Sequence, residues 1–472
     1  VGVRKIAGAQ KKSLIFQFIG ESIIYTIFAF FLSMLLVELG LPIFEQLTGR
    51  EISLSLLNLK TISMGIGAVI VLGIIAGGYP AIILSSYSPV NIFKAKLVSG
   101  GKGITLRTII VIIQFTLAVS LIIGTGVIYS QLKYMQKKDL GFDNENLLVM
   151  SMNSDLKEKF DTFTNITDQI PGIVSMTRSS STPNEVWNIM RGMNWEGSKS
   201  DEGSSFAFIS ADNDFVKTVN LEIVQGRNFS KDLKTDENAI LINEKSIEMM
   251  GIENPIGLKI GDGEFEVIGV IKDFNSLPLS YQIEPLFITN IPEYFNRIIF
   301  KFSGNNSVDT IAQLEKAWLQ VCPDFPFEHK FLDETFQHTY DTEIKAGLQF
   351  RIFAGLGIFI ACLGLFGLAS FLTEQKKLEI GVRKVMGSTS SGIIWQLSKQ
   401  FVRWIVVANI IAWPLAWFLM KNWLEGFVYR TSINPLIFIF AGFISLAIAI
   451  FTISLKTWKA ANTNPAKILK YE

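Results

Sequence analysis

The nine residues IGVRKVMGS at 380–388 occur a second time in the chain, as VGVRKIAGA at 1–9. The copies lie 379 residues apart, and each precedes an apolar stretch, a short connection, a second apolar stretch and a basic tail that contains proline. The two tails, SPVNIFKAK at 88–96 and NPAKILKYE at 464–472, lie 376 residues apart. Two matches in the same order at nearly the same offset predict a duplicated unit.

The apolar stretches around these copies decide the fold class. A bilayer core about 30 Å thick needs about 20 apolar helical residues. Six stretches meet this length with few charges, at 14–37, 62–84, 108–129, 350–372, 393–420 and 435–455. Hydrophobic residues make up 49% of the chain and charged residues 18%, against about 25% in soluble domains. We therefore expect a polytopic α-helical membrane protein with six transmembrane helices and contact with the lipid bilayer.

The 220 residues at 130–349, between the third and fourth stretches, are mostly polar and long enough for a folded domain. Patterns of period 2 and 3.6 alternate along it. Strands are predicted at 146–152, 173–178, 239–243, 265–272 and 297–302, and helices at 155–170, 244–250 and 307–321. This predicts one α+β domain. Residues 131–137 and 333–349 are predicted to be helical, either as stalks that continue the neighbouring membrane helices or as ordinary linker helices.

The basic residues predict the orientation in the membrane. Segments 1–13, 85–107, 374–392 and 456–472 each hold four Lys or Arg, whereas 38–61 and 421–434 each hold two. Because short cytosolic connections are enriched in Lys and Arg, both termini are expected in the cytosol and residues 131–349 outside it. The net charge of +1 gives no broad basic field, so no nucleic-acid partner is expected.

The repeat also predicts domain boundaries. We divide the chain into the end of a first unit at 1–106, a helix opening the second unit at 107–130, the extracytoplasmic domain at 131–349 and the rest of the second unit at 350–472. The first unit lacks the opening helix and polar domain of the second. We therefore expect roughly 370 further residues upstream in the natural protein.

Several short motifs follow the order found in one transporter family. They are QF at 114–115, GRNF at 226–229, NPIG at 254–257, VIGVIKDFN at 267–275, LGLFGLASF at 363–371 and EIGVRKVMGS at 379–388. In this order they resemble MacB/FtsX-type ABC transporter permeases with a MacB-like periplasmic core domain, here in a duplicated-unit form truncated at its N-terminus. The resemblance implies a multi-pass protein of the bacterial inner membrane, a cytosolic ABC ATPase subunit as partner, and room for a periplasmic or outer-membrane partner.

The repeated segment is the candidate site. Leu378, Val382 and Val385 recur at helical spacing, which predicts a short amphipathic helix able to dock in a groove on a partner. In the resembled family such helices dock on the ATPase subunits. The candidate ATPase-coupling residues are Gly2, Arg4, Lys5, Gly8, Glu379, Gly381, Arg383, Lys384 and Gly387. The alternative is a juxtamembrane basic anchor that obeys the positive-inside rule.

Catalytic chemistry is not expected in this chain. A P-loop needs GxxxxGK[ST], and Gly100–Gly103, which lacks the Ser or Thr, is interpreted as a flexible linker. ATP hydrolysis is therefore assigned to a separate chain. Two cysteines and two histidines, Cys322, Cys362, His329 and His338, have neither disulfide nor zinc spacing, so no cofactor or metal site is expected.

Three further polar or glycine-rich motifs have competing interpretations. Asp273 is either a catalytic carboxylate or, as we favour, a cap of its turn together with Asn275. Gly226-Arg227 is either a ligand site or, as we favour, a turn with a structural ion pair. Gly73 and Gly77 form GxxxG, which allows close contact between membrane helices.

Three functions compete at this point. The first is an ATP-driven permease that moves its outer domain for efflux or for lipoprotein or peptide export. The second is a non-transport transducer that controls an envelope partner such as a cell-wall hydrolase. The third, a membrane-bound enzyme, lacks a nucleophile–base–acid set in the sequence.

Overall fold

A computed structural model of the chain describes residues 10–48, 59–86, 101–198, 204–304, 307–334 and 340–461. Six of its helices are long and apolar enough to cross a membrane. They are α1 (Lys11–Thr48), α2 (Leu59–Ser86), α3 (Gly101–Lys137), α9 (Asp341–Gln375), α11 (Ser390–Leu424) and α12 (Pro435–Ala461). All six apolar stretches predicted from the sequence are confirmed as helices, and each helix extends beyond its predicted range.

The chain divides into two compact units. One comprises Val1–Val119, Arg351–Ile411 and Gly442–Glu472, and the other comprises Ser120–Phe350 and Ala412–Ala441. In the first unit, α3, α9, α11 and α12 share an apolar core that includes Phe115, Leu365, Phe401 and Ala449. Small and large side chains interleave there, as close packing between membrane helices requires.

Helices α1 and α2 contact one another closely at the GxxxG motif. A Cβ atom at Gly73 would lie 2.8 Å from Cγ1 of Ile23, and one at Gly77 would lie 2.7 Å from Oγ of Ser22 and 3.1 Å from the Cα of Ile19. A larger residue at either position would therefore have to displace Ile23, or Ser22 and the backbone at Ile19. The sequence prediction of a close helix contact at this motif is confirmed.

The α+β domain contains two sheets. Its strands are β1 (Leu147–Ser151), β2 (Ile173–Ser179), β3 (Ile189–Met193), β4 (Ser204–Ser210), β5 (Ile223–Gly226), β6 (Ala239–Asn243), β7 (Lys259–Ile260), β8 (Phe265–Ile271), β9 (Leu286–Thr289), β10 (Arg297–Phe302) and β11 (His329–Phe331). The four-stranded sheet has the order β11-β1-β10-β2 and is antiparallel. The seven-stranded sheet has the order β3-β4-β9-β6-β8-β5, with β7 beside β8.

Short helices cover these sheets. They are α4 (Ser154–Glu158), α5 (Phe160–Thr167), α6 (Phe215–Thr218), α7 (Glu244–Met250) and α8 (Ser307–Val321). Phe163 of α5, Phe300 of β10 and Trp318 of α8 pack edge to face in the core of the four-stranded sheet. The predicted strands and helices are confirmed, apart from small shifts in the ends of several strands and one predicted helix that the structure divides in two.

That helix was predicted as a single element at 155–170. The structure instead forms α4 and α5, which are separated at Lys159 with φ −105° and ψ 21°. The predicted apolar face survives the break, because Phe163 and Ile170 are still buried. The linker interpretation of Gly100–Gly103 is wrong for Gly101–Gly103, which form the first turn of α3; Gly100 lies outside the described residues.

The ends of two membrane helices belong to the core of the α+β domain. Met135 near the end of α3 and Tyr340 just before α9 lie in the same buried cluster as Leu241 and Ile271 of the seven-stranded sheet. The Tyr340 hydroxyl oxygen accepts a hydrogen bond from the backbone N–H of Leu279 at 2.9 Å. The stalk prediction for 131–137 is therefore confirmed, and that for 333–349 is confirmed from Asp341 onward.

Candidate coupling site

The repeated segment forms a separate short helix, α10 (Lys377–Val385), between the membrane helices α9 and α11. Its one fully buried large side chain among those described is Ile380, which is 4% exposed and packs on Ile393 and Leu397 of α11. Because Ile393 and Leu397 are one turn apart, they form a pocket for this single apolar side chain. Ile380 therefore fixes the face that α10 turns toward α11.

The opposite side of α10 presents apolar side chains to the surroundings. Val382 is 42% exposed, Val385 63% and Met386 81%. Exposed apolar groups clustered beside charges are typical of surfaces that contact a protein partner or the membrane. We call Val382, Val385 and Met386 the exposed apolar face of α10.

The charged residues of α10 are held by local contacts. Nη2 of Arg383 lies 2.8 Å from Oε1 of Glu379, one helical turn away, and both side chains are about half exposed. Nη1 of Arg383 also donates a hydrogen bond to Oε1 of Gln396 on α11 at 2.5 Å. These contacts orient the guanidinium group while leaving part of it accessible to a partner.

The turn after α10 explains the glycine in the repeat. Gly387 has φ +92°, a left-handed conformation that is strained for other residues. The N–H of Ser388 donates to the carbonyl oxygen of Arg383 at 3.0 Å, and the N–H of Gly387 donates to that of Lys384 at 3.1 Å. This is the hydrogen-bond pattern of a Schellman motif at a helix end. Thr389 then caps the start of α11 through the N–H of Gly392.

The structure describes some of the predicted site residues and not others. Glu379, Gly381, Arg383, Lys384 and Gly387 lie on α10 or its C-terminal turn, as the sequence predicted. Gly2, Arg4, Lys5 and Gly8 lie outside the described residues, as does the side chain of Leu378.

Two residues of this site, one on α10 and one at its C-terminal end, were not predicted from the sequence. Met386 is the most exposed apolar residue of the face, and Ile380 is the inward anchor. The sequence shows that Ile380, Ile393 and Leu397 are apolar. Whether Ile380 packs on the other two depends on the direction of the turn between α10 and α11, which only the structure gives.

The other two polar candidates have structural roles. Oδ1 of Asp273 accepts a hydrogen bond from the N–H of Lys245 at 2.8 Å, and the N–H of Asp273 donates to Oε2 of Glu244 at 3.1 Å. The structural interpretation of Asp273 is supported, but the predicted partner is wrong. The side chain caps the neighbouring helix α7, whereas the N–H of Asn275 donates to the carbonyl oxygen of Leu140. Burial raises the pKa of Asp273.

Arg227 forms the predicted ion pair. Nη1 and Nη2 each donate to a carboxylate oxygen of Asp236 at 2.7 Å, and the Asp236 side chain is 2% exposed. Hydrogen bonds from Arg227 hold the pKa of Asp236 below its usual range. Gly226, with φ +76°, supplies the turn, and a Cβ atom there would clash with the carbonyl oxygen of Ile268. The pair is a structural feature of the domain.

Within the described ranges, no three His, Cys, Asp or Glu side chains converge as a metal site would require. His329 lies on β11 against Phe327 and Phe331, and His338 is outside the described residues. Cys322 is buried and Cys362 is half-buried, and both are free thiols.

Comparison with known proteins matches both parts of the chain. The FtsX-like permease C-terminal family matches residues 1–89 and 351–465, the two segments that contain the repeat. The MacB-like periplasmic core domain family matches residues 108–316. The chain is 21% identical over 300 residues to the uncharacterized ABC transporter permease YknZ of Bacillus subtilis (strain 168), which covers 57% of this chain and 72% of YknZ.

Two solved structures match part of this chain at low identity. The periplasmic region of MacB from Actinobacillus actinomycetemcomitans is 17% identical, covers 43% of this chain and 97% of that one, and gives a TM-score of 0.31. The extracellular domain of YknZ from Gram-positive bacteria is 14% identical, covers 39% and 97%, and gives a TM-score of 0.28. On the family matches and the relationship to YknZ, this multi-pass membrane protein belongs to the MacB/FtsX-type ABC transporter permeases.

Proposed function

We propose that this chain is a permease subunit in which ATP hydrolysis by a separate cytosolic ATPase drives motion of the α+β domain. The observation on which the proposal depends is the exposed apolar face of α10, with Val385 63% and Met386 81% exposed next to an oriented Arg383. The packing of Ile380 and the turn at Gly387 hold this face away from α11. A short helix with this distribution fits a hydrophobic groove on a partner.

The proposal includes the orientation predicted from the basic residues. The termini and α10 lie in the cytosol, where the ATPase is, and the α+β domain lies outside the inner membrane. Membership in the permease family supports an ATPase partner. The transported molecule is proposed as an efflux substrate, a lipoprotein or a peptide. The domain boundaries and the four residues of the first repeat copy belong to this proposal.

The alternative function, a non-transport transducer, shares the coupling of ATP hydrolysis to domain motion but predicts no transport. In that case ATP hydrolysis moves the α+β domain, but no molecule crosses or leaves the membrane in reconstituted vesicles. An envelope partner that copurifies with the full protein and is a hydrolase would favour the transducer, and an outer-membrane channel would favour transport.

Exchange of the charged pair on α10 tests the docking role. In Arg383→Glu with Glu379→Arg, the side chains can still pair one turn apart, so α10 should fold, and the Lys and Arg count is unchanged. A basic anchor tolerates this exchange. A docking helix does not, because like charges then meet across the interface at a cost of several kcal/mol.

The expected result is normal insertion with reduced recovery of the ATPase in pull-downs and loss of stimulated ATP hydrolysis in reconstituted membranes. The matched control is the same exchange at the exposed pair Lys245 and Glu248 on α7, which should leave both quantities unchanged. Wild-type recovery and stimulation in the α10 variant would return α10 to the anchor interpretation.

A further inference from the structure

The loop between α11 and α12, Glu425–Asn434, is attached to the end of α3 by one buried glutamine. Gln131 of α3 is 0% exposed. Its Nε2 donates to the carbonyl oxygen of Tyr429 at 2.8 Å, and its Oε1 accepts from the N–H of Thr431 at 2.8 Å. Both ends of one side-chain amide are therefore satisfied by the backbone of a single loop.

Apolar packing surrounds this pair of hydrogen bonds. Phe427 and Tyr429 of the loop pack on the core cluster of the α+β domain that also contains Met135 of α3. The ammonium group of Lys138 lies 4.1 Å from the centre of the Tyr429 ring. The loop is thus in contact with both the α3 stalk and the domain above it.

The hydrogen bonds of the Gln131 amide fix the position of the loop along α3, which the apolar contacts alone do not. Hydrophobic packing is non-directional and would allow the loop to slip along α3, whereas hydrogen bonds have narrow distance and angle limits. Because Gln131 bonds backbone groups two residues apart, it fixes the register of the loop regardless of the loop side chains. Slippage would leave a buried amide without partners, which is costly.

The chain connects this attachment to the candidate site. α10 is followed, after the turn at Gly387, by α11, one helix of 35 residues that leads directly into the loop. We propose that Gln131 is a positioning residue for coupling, which makes α3 and the α+β domain follow the displacement of α11. This inference depends on the proposed function and deepens it, by naming the residue through which movement of α11 reaches the domain.

Two substitutions of Gln131 test the role of its hydrogen bonds to the loop. Gln131→Leu keeps a side chain of similar size and removes both hydrogen bonds. Gln131→Glu keeps an acceptor for the N–H of Thr431, but it places a buried carboxylate against the carbonyl oxygen of Tyr429, which is unfavourable. The control is Ser130→Ala, one residue away, where the hydroxyl group donates to the carbonyl oxygen of Gly126 within the same helix.

The test measures ATPase pull-down, stimulated ATP hydrolysis in reconstituted membranes and thermal unfolding of each variant. We expect wild-type ATPase recovery in all of them. Stimulation should fall by about fivefold or more in both Gln131→Leu and Gln131→Glu, the scale of a typical coupling free energy, and should be unchanged in Ser130→Ala.

Two results would overturn the inference: full stimulation in folded Gln131→Leu, or a loss that follows only the unfolded fraction and is restored at lower temperature. Failure of the wild-type chain to recruit an ATPase would instead refute the proposed function, so the two failures are distinguishable.

Discussion

Single residues of the α+β domain have roles that their sequence context only partly indicated. The Gly226-Arg227 turn suggested an ion pair, but its partner Asp236 lies nine residues away in a short 3-10 helix, Lys234–Asn238, that no apolar pattern marks in the sequence. Asp273 follows a strand, as a catalytic carboxylate can, yet it caps a helix whose start is adjacent only in the folded sheet. Sequence identifies such residues as polar and constrained, and the fold determines their partners.

The Arg227–Asp236 pair predicts a specific dependence of stability on pH. Asp236→Asn should lower the free energy of unfolding at pH 7 by about 1–3 kcal/mol, the value for a hydrogen bond to a charged group. The pKa of Asp236 is lowered in the folded protein, so its contribution is full above the unfolded-state pKa of about 3.9 and is lost as pH falls through the folded-state pKa.

The difference in unfolding free energy between wild type and Asp236→Asn should therefore stay constant from pH 7 to about pH 4 and shrink below that pH, as measured by denaturant unfolding of the full chain in detergent. Asp214→Asn, which breaks an exposed pair with Lys231, serves as the control and should cost less than about 1 kcal/mol. A difference that stays constant with pH would show that the pair does not stabilise through charge.

The exposed face of α10 gives a second prediction for individual side chains. Met386→Asp should weaken ATPase binding by roughly tenfold or more, because an apolar anchor is replaced by a charge that must be desolvated. Binding is measured by titration of the purified ATPase onto the reconstituted permease. Val308→Asp, an equally exposed apolar position on α8, should bind normally. Equal affinities of both variants would argue against docking at this face.

At the scale of elements, the sequence was sufficient wherever one periodicity decided the structure. Six long apolar stretches became six helices, and β6, α7, β10 and α8 were predicted with their observed ends. Prediction was incomplete where contacts between elements determine the local structure. The break at Lys159 between α4 and α5 interrupts no apolar pattern, since Phe163 and Ile170 face the core in either case. The packing of Ile380 on α11 depends on the direction of the turn between α10 and α11, which hydrophobic periodicity does not predict.

The contact between α1 and α2 gives a prediction for an element pair. Gly77→Ala should destabilise the pair by about 1–3 kcal/mol, because the added methyl group must displace Ser22 and the backbone at Ile19. Gly67→Ala in the same helix meets nothing within 4 Å and should be neutral or slightly stabilising, since alanine favours helix. Thermal unfolding of both variants in detergent measures the difference, and an equal midpoint for the two would contradict the close packing.

At the scale of the whole molecule, the proposal requires α10 and the α+β domain on opposite sides of the membrane. In a background with Cys322→Ala and Cys362→Ala, a cysteine at Glu253 should react with an impermeant maleimide applied to intact cells. A cysteine at Ser391, at the start of α11, should react only after permeabilisation. Labelling of Ser391→Cys in intact cells would reverse the topology and remove the ATPase from reach of α10.

The most direct test of the central claim is whether ATP hydrolysis by the partner moves the α+β domain. A fluorescent donor at Glu253→Cys and acceptor lipids in the facing leaflet report the height of the domain above the membrane by resonance energy transfer. With the ATPase bound, we predict that ATP changes the transfer efficiency in the wild-type chain and not in Arg383→Glu with Glu379→Arg. An efficiency that is the same with and without ATP, while the bound ATPase is hydrolysing it, would contradict the account.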